Sequence, residues 1–244
     1  MKITGKSKYA EARDALLALM KARSFMGNKL PSEDTLAKTL GISVATVREA
    51  LRQLNREGFI TKRHGSGNYM HPSALKLGMR IDITKSFEEL LQGSYAKTYV
   101  EQSIFSVEVC PQDVVKSLQL HEQEPCLVYD RLYYVEDGKL AIAARNYLPT
   151  RYLRQAADDL EGNHEQVSLM EFVWAHCLDE MVQTIVKMEP VLSKRCAIEG
   201  MNLEEDSAIY QWEEVFYNVL DQPIGLTKAW FHPGLVEMHL LIKW

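Results

Sequence analysis

Apolar residues recur at helical intervals through the first sixty positions. Ala12, Leu16 and Met20, with Leu17 and Leu19 beside them, predict a helix over Tyr9–Met20. Met26-Gly-Asn-Lys-Leu30 breaks it. Leu36, Ala37 and Leu40 form a second stripe, opened by Ser32 as N-cap with Glu33 and Asp34 at the positive end of the helix dipole, and closed by Gly41. A third helix starts at Ser43 and runs to about Glu57, where Gly58 stops it. Its Val47, Leu51 and Leu54 fall at i, i+4 and i+7, a buried stripe. Ala45, Arg48, Arg52 and Arg56 lie about 100–180° round the axis from Val47. The period then changes to that of strands. Phe59–Arg63 and Asn68–Met70 flank His64-Gly65-Ser66-Gly67, which predicts a hairpin with a glycine turn. Three helices and a hairpin in this order make a winged helix-turn-helix. A third helix with a small and cationic outer face, beside a basic wing (Lys62, Arg63, His64), suits the major groove of double-stranded DNA.

Beyond a linker at His71-Pro72-Ser73-Ala74, where Pro72 disfavours helix for the residue before it, the pattern mixes short strands and helices. Helices are expected at Ser86–Gln92, Gln112–Leu120, Ser168–His176 and Glu189–Gly200. Strands are expected at Thr98–Val109, Asp179–Met188 and Met238–Lys243. Hairpins are expected at Pro125–Leu148 around Asp137-Gly138, and at Ile209–Phe231 around Asp221-Gln222-Pro223. Strands joined by hairpins, with helices interspersed, predict an α+β fold with an antiparallel sheet. The expected organisation is a DNA-binding domain over residues 1–71, a linker over 72–80, and a second domain over 81–244.

Charge sharpens this division. The net charge is −5, yet residues 1–80 hold 15 Lys and Arg against 6 Asp and Glu, while residues 81–244 hold 13 against 27. A basic module fused to an acidic one is the footprint of nucleic-acid binding joined to another task. With 46% hydrophobic and 25% charged residues, the chain is no disordered, collagenous or coiled-coil protein. It has no apolar run of about 18 residues, so no membrane partner is expected. The opening MKITGKSKYAEARD has no apolar core of a signal peptide, and Cys110, Cys126, Cys177 and Cys196 never form C-x-x-C. A reduced cytoplasmic protein is expected, with small buried cysteines and no zinc site.

Catalytic signatures are missing. There is no G-x-S-x-G, G-x-x-x-x-G-K or H-E-x-x-H, and no G-x-G-x-x-G after a strand. His232 and His239, with Glu237 between, read as ordinary histidines. Met170, Phe172, Val173 and Trp174 read as core. No metal, cofactor or enzymatic activity is expected.

The segment LPSEDTLAKTLGISVATVREALRQLNREGFITKRHGSGNYM resembles the DNA-binding domain of the GntR transcription regulators over about residues 8–71. The resemblance implies a homodimer on a short palindromic operator, with the third helix in the major groove and the wing tip in the minor groove. Ser43, Thr46 and Arg48 match DNA-contact positions of the family, and Gly65 matches the wing tip. Ala45, Arg52, Lys62, Arg63 and His64 complete the expected interface. Asp34 and Val44 stand where many members carry arginine, so the operator is expected to differ from the usual one.

The stretches DVVKSLQLHEQEPCLVYDRLYYVEDGKLAIAARNYLP and SLMEFV resemble, more loosely, the ligand-sensing UTRA domain of the HutC branch, of chorismate-lyase-like fold. This implies a regulator, most simply a repressor, whose DNA affinity a small-molecule effector modulates. The runner-up is an enzyme of that fold with a DNA-binding appendage, and a third class is a nucleoid protein without sequence preference. Ser86, Arg131 and Ser168 match anion-contacting positions of related sugar-phosphate sensors, and Phe87 and Tyr133 adjoin them. The capping box Ser86-x-x-Glu89 adds a helix start to the anion site. Arg131 clamps an anionic oxygen in one reading, and pairs with Asp130 or Glu136 in the other. Tyr133, Ala144 and Gly225 replace an arginine and two glutamates of the family pattern. A smaller or more apolar carboxylate or phosphorylated effector, and not the usual amino-sugar phosphate, is therefore expected.

Overall fold

The computed structural model describes residues 8–83, 86–160, 169–196, 198–204 and 206–243. The chain divides into two compact units: residues 1–83 with 238–244, and residues 84–237.

The first unit begins with α1 (Lys8–Ala22), α2 (Glu33–Leu40) and α3 (Val44–Arg56). Ser32 and Ser43 cap α2 and α3, each side chain accepting from the backbone N–H three residues on. Gly41 closes α2 in the left-handed region at φ 67°, which a residue without Cβ adopts at no steric cost. The expected stripe is the core: Val47, Leu51 and Leu54 are buried against Ala12, Leu16, Met20 and Leu36. The wing is β1 (Ile60–Arg63) antiparallel to β2 (Gly67–Met70). The segment expected as linker carries the short helix α4 (Pro72–Leu75). Met238–Lys243, expected as a strand, forms none. It contributes a single parallel bridge, Arg80↔His239, within this first unit.

The second unit is built on a seven-stranded antiparallel sheet. Its strands are β3 (Thr98–Gln102), β4 (Ser106–Val109), β5 (Pro125–Val135), β6 (Lys139–Pro149), β7 (Gln183–Leu192), β8 (Ala208–Tyr217) and β9 (Pro223–Phe231). The order is β3-β5-β6-β9-β8-β7, with β4 also on β5. Its described helices are α5 (Phe87–Gln92), α6 (Gln112–Ser117) and α7 (Leu169–His176).

Four expectations are corrected. Thr98–Val109 is two strands, because the chain breaks at Ser103–Phe105 to pair with two stretches of β5. Glu189–Gly200 is not a helix: β7 continues to Leu192, its Val191 opposite Ile209 in the ladder to β8, and a 3-10 turn follows. Trp174 is 55% exposed, whereas Phe172 and Val173 are core. Cys110 and Cys126 are disulfide-bonded, with Cα atoms 5.7 Å apart, and close a short loop around α6.

Because alternate side chains of a strand face opposite ways, the registers define two sheet faces. One carries Cys126, Val128, Tyr147, Val215 and Leu226 under α6. The other carries Tyr129 and Phe216, packed with Phe172 of α7, and Tyr133 and Phe231, packed with Phe87 of α5.

Candidate DNA interface and effector face

Within the first unit, the exposed side of α3 and the wing carry the expected DNA contacts. Ser43, Ala45, Arg48 and Arg52 are exposed, and so are Lys62, Arg63, His64 and Gly65. Thr46 is half-buried, its hydroxyl 2.7 Å from that of Ser43. Gly65 forms the turn at φ 70°. Arg63 lies over the Tyr69 ring at 5.3 Å, and the Tyr69 hydroxyl is 2.6 Å from Ser66 Oγ, which stiffens the wing. Arg52 pairs with Glu49 at 2.9 Å.

Sequence reasoning missed Glu33. Its place in the sequence marks it only as a helix-dipole residue, but its carboxylate also accepts from Arg48 at 2.9 Å and lies 4.0 Å from Lys62. One acidic group therefore holds a cation of α3 and a cation of the wing. The i to i+15 and i to i+29 spacings give no local signal for this, since the pairing arises only once α2 packs beside α3.

In the second unit, Arg131 and Tyr133 share one face of β5, with Phe87 edge-on to the Tyr133 ring at 5.5 Å. Phe87 meets Trp212 and Phe231 in the same way. Ser86 caps α5, its hydroxyl accepting from Glu89 N–H at 3.1 Å. Ser168 lies outside the described residues.

Arg131 pairs with neither neighbour that the sequence offered. Asp130, on the opposite face, takes both Nε and Nη2 of Arg145 at 2.7 Å. Arg131, 6% exposed, donates instead from Nη2 to Glu88 at 2.6 Å, and its buried Nε has no hydrogen-bond partner among the described residues. Gly225 is closed to a larger residue: a Cβ there would lie 2.8 Å from Leu148 and 3.3 Å from Phe216. The acceptor that the family pattern places at that position has no room in this chain.

Residues 8–70 match the family described as bacterial regulatory proteins, gntR family. The chain is 30% identical over 164 residues, 67% of each sequence, to the mannosyl-D-glycerate transport/metabolism system repressor MngR of Escherichia coli K12. It is 26% identical over 117 residues to the transcriptional regulator GgaR of the same organism, spanning about half of that protein's length (46%). In fold it is similar to the possible transcriptional regulator YydK of Bacillus subtilis, with a TM-score of 0.70 at 14% identity over 98% of this chain and 100% of that one. The effector domain of PhnF from Mycobacterium smegmatis superposes with a TM-score of 0.54 at 15% identity over 69% of this chain and 98% of that one. An intact winged helix-turn-helix, the family match across it, and a relative alike over two thirds of both sequences converge on one assignment: the chain belongs to the GntR family of bacterial transcription regulators.

Proposed function

We propose that the protein is a cytoplasmic, ligand-responsive repressor of the HutC branch, with a second domain of UTRA type. It binds a palindromic operator as a homodimer, and a small-molecule effector on the second domain sets its DNA affinity. The observation that carries this reading is the juxtaposition of Arg48, Lys62 and Glu33, which presents the N-terminal part of α3 and the wing as one cationic surface. The contact residues are those on that surface: Ser43, Ala45, Thr46, Arg48 and Arg52 of α3, with Lys62, Arg63, His64 and Gly65 of the wing. Two-fold protein symmetry on a palindrome follows from one winged domain reading only a half-site.

The effector reading rests on Arg131, whose buried Nε, without a hydrogen-bond partner among the described residues, suits an anionic or carbonyl oxygen. Phe87 and Tyr133 supply apolar walls beside it, and Ser86 and Ser168 belong to the same proposed site. The test is fluorescence anisotropy of the full chain on fragments of DNA flanking its own gene, at several salt concentrations. A salt-sensitive, sequence-specific complex is expected. Binding indifferent to sequence at every salt concentration defeats the reading.

A further inference from the structure

The reverse face of the sheet, under α6, holds chemistry that the DNA and effector readings leave unused. Cys110 follows β4, Cys126 lies in β5, and the bond between them closes a loop that contains all of α6. Both cysteines share one apolar cluster with Val114 and Leu118 of α6 and with Val128, Tyr147, Val215 and Leu226 of the sheet. Cys126 is fully buried and Cys110 is 5% exposed. In the cytoplasm the glutathione pool keeps most thiols reduced, and a disulfide found there is more often redox-active than a permanent staple.

The base of this loop is held without the sulfur–sulfur bond. The ladder between β4 and β5 runs up to Val109 opposite Pro125, and Cys110 N–H donates to the Glu124 carbonyl at 3.2 Å. Val114 and Leu118 are fully buried. Two polar contacts seat α6 across the sheet: Asp113 pairs with Lys228 of β9, and Ser117 donates to Glu213 of β8 at 3.1 Å. Burial raises the Asp113 carboxyl, but Lys228 outweighs burial and holds it below its ordinary range. Lys228 is 9% exposed and stands opposite Arg145, a cation already held by Asp130. Lifting α6 therefore takes the Asp113 carboxylate from a buried ammonium that has a like charge beside it. With Cα atoms 5.7 Å apart on these supports, the two thiols of the reduced form stay within reach of each other.

On the cytoplasmic reading above, we infer that Cys110 and Cys126 form a reversible thiol–disulfide site for low-molecular-weight thiols and disulfides. The helix α6 is its cover, and the Asp113–Lys228 pair latches that cover. In the reducing direction an external thiolate attacks Cys110 Sγ, the more accessible sulfur, and Cys126 leaves as a thiolate. A second external thiolate attacks the external sulfur of the mixed disulfide, and Cys110 leaves in turn. The two cysteine thiolates take up the two protons given by the external thiols. The protein disulfide is thereby reduced to a dithiol, and two external thiols are oxidised to one external disulfide. Oxidation runs the same steps backwards.

The test is thiol trapping of the full-length protein, equilibrated without denaturant in glutathione buffers of graded reduced-to-oxidised ratio. Peptide mass spectrometry separates this pair from Cys177 and Cys196. The pair is expected to pass from disulfide to dithiol and back, with a transient glutathione adduct on Cys110. Asp113→Asn and Ser117→Ala each loosen the cover and are expected to speed reduction several-fold, while Cys110→Ala leaves Cys126 unmodified. Hydrogen exchange in the reduced protein should accelerate in α6 and stay unchanged in β5 and β6. A bond that survives excess dithiothreitol in the native protein and yields only in urea is a staple, and it overturns the inference. So does a reduced protein in which β5 and β6 exchange as fast as α6. Reduction rates unchanged in both cover variants, or an adduct found first on Cys126, overturn α6 as the cover. Operator binding by anisotropy is read separately: its absence with the exchange intact defeats the regulator reading and leaves this site standing.

Discussion

Arg48 leaves α3 half exposed, with Nε and Nη2 both on the Glu33 carboxylate at 2.9 Å. An ion pair this open contributes little to stability, under about 1 kcal/mol, so its effect is to aim the guanidinium. Arg48→Ala is expected to cost about 1–3 kcal/mol of specific operator affinity if the side chain reads a base edge. Equal loss on every sequence would make it a phosphate contact. Glu33→Gln removes a negative charge beside two cations of the proposed DNA surface. Non-specific affinity is expected to rise and the ratio of specific to non-specific binding to fall, as read by competition with unrelated DNA. Arg80 presents the opposite case, a cation that is 4% exposed, held by Asp82 through Nε at 3.1 Å and through Nη2, and stacked over Phe59 at 4.8 Å. Burial alone would push the Asp82 carboxyl up, but Arg80 outweighs burial and holds it below its ordinary range. A depressed carboxyl contributes stability above its unfolded value, and that contribution is lost as the pH falls through the folded one. Asp82→Asn is therefore expected to destabilise the first unit at neutral pH, because the buried Arg80 guanidinium loses its paired carboxylate. The deficit shrinks toward pH 3, as urea midpoints across that range would show.

Among the elements, α3 was readable and β7 was not, for a physical reason. The helix carries its instructions locally: a serine cap, a stripe at i, i+4 and i+7, and a stopping glycine at φ 76°. The C-terminal half of β7 carries contrary ones. Glu189-Pro190 resembles the first turn of a helix, and only the ladder to β8, formed across an intervening stretch of chain, extends the strand through Leu192. The proposed effector face divides in the same way. Arg131 and Tyr133 match a pattern in the sequence, whereas Glu88 joins them only through the packing of α5 on the sheet. β7 also ends the strand order, and it exposes Ile185, Val186, Met188 and Leu192. Lys187 and Pro190 guard it against open-ended edge pairing, so its apolar side chains rather than its backbone are the expected contact of the proposed dimer. Ile185→Asp with Met188→Asp is expected to convert a two-chain mass to a one-chain mass by light scattering at micromolar concentration, with the far-ultraviolet circular dichroism kept. A double variant that stays dimeric places the interface elsewhere.

At the scale of the molecule, the chain crosses between its two units twice, near residue 84 and again near residue 238. The last residues complete the first unit rather than the second. His239 accepts from Ile81 N–H and donates to the Met79 carbonyl, both at 3.0 Å, and Lys243 Nζ meets Asn55 Oδ1 at 2.7 Å at the end of α3. Leu241 packs onto the winged-helix core, and a Cβ at Gly58 would lie 2.5 Å from its side chain. Gly58 is favoured by its positive φ, and a larger residue there would also have to displace the end of the Leu241 side chain. The hydrophobic stripe of the first seventy residues gave no sign that its core was unfinished, because the missing piece lies some 170 residues downstream. Removing residues 238–244 is expected to cost the first unit about 2–4 kcal/mol, from two backbone hydrogen bonds and part of a leucine's burial. Hydrogen exchange should then accelerate in peptides from α3 and the wing, and remain unchanged in β5 and β6. Operator binding should weaken as temperature rises, since a partly opened α3 presents no fixed surface. Adding Leu241 and Lys243 back on a tail with scrambled neighbours should restore protection only if Leu241 regains its place beside Gly58. Equal exchange in the truncated and full-length chains would mean that α1, α2, α3 and the wing hold themselves together without the tail.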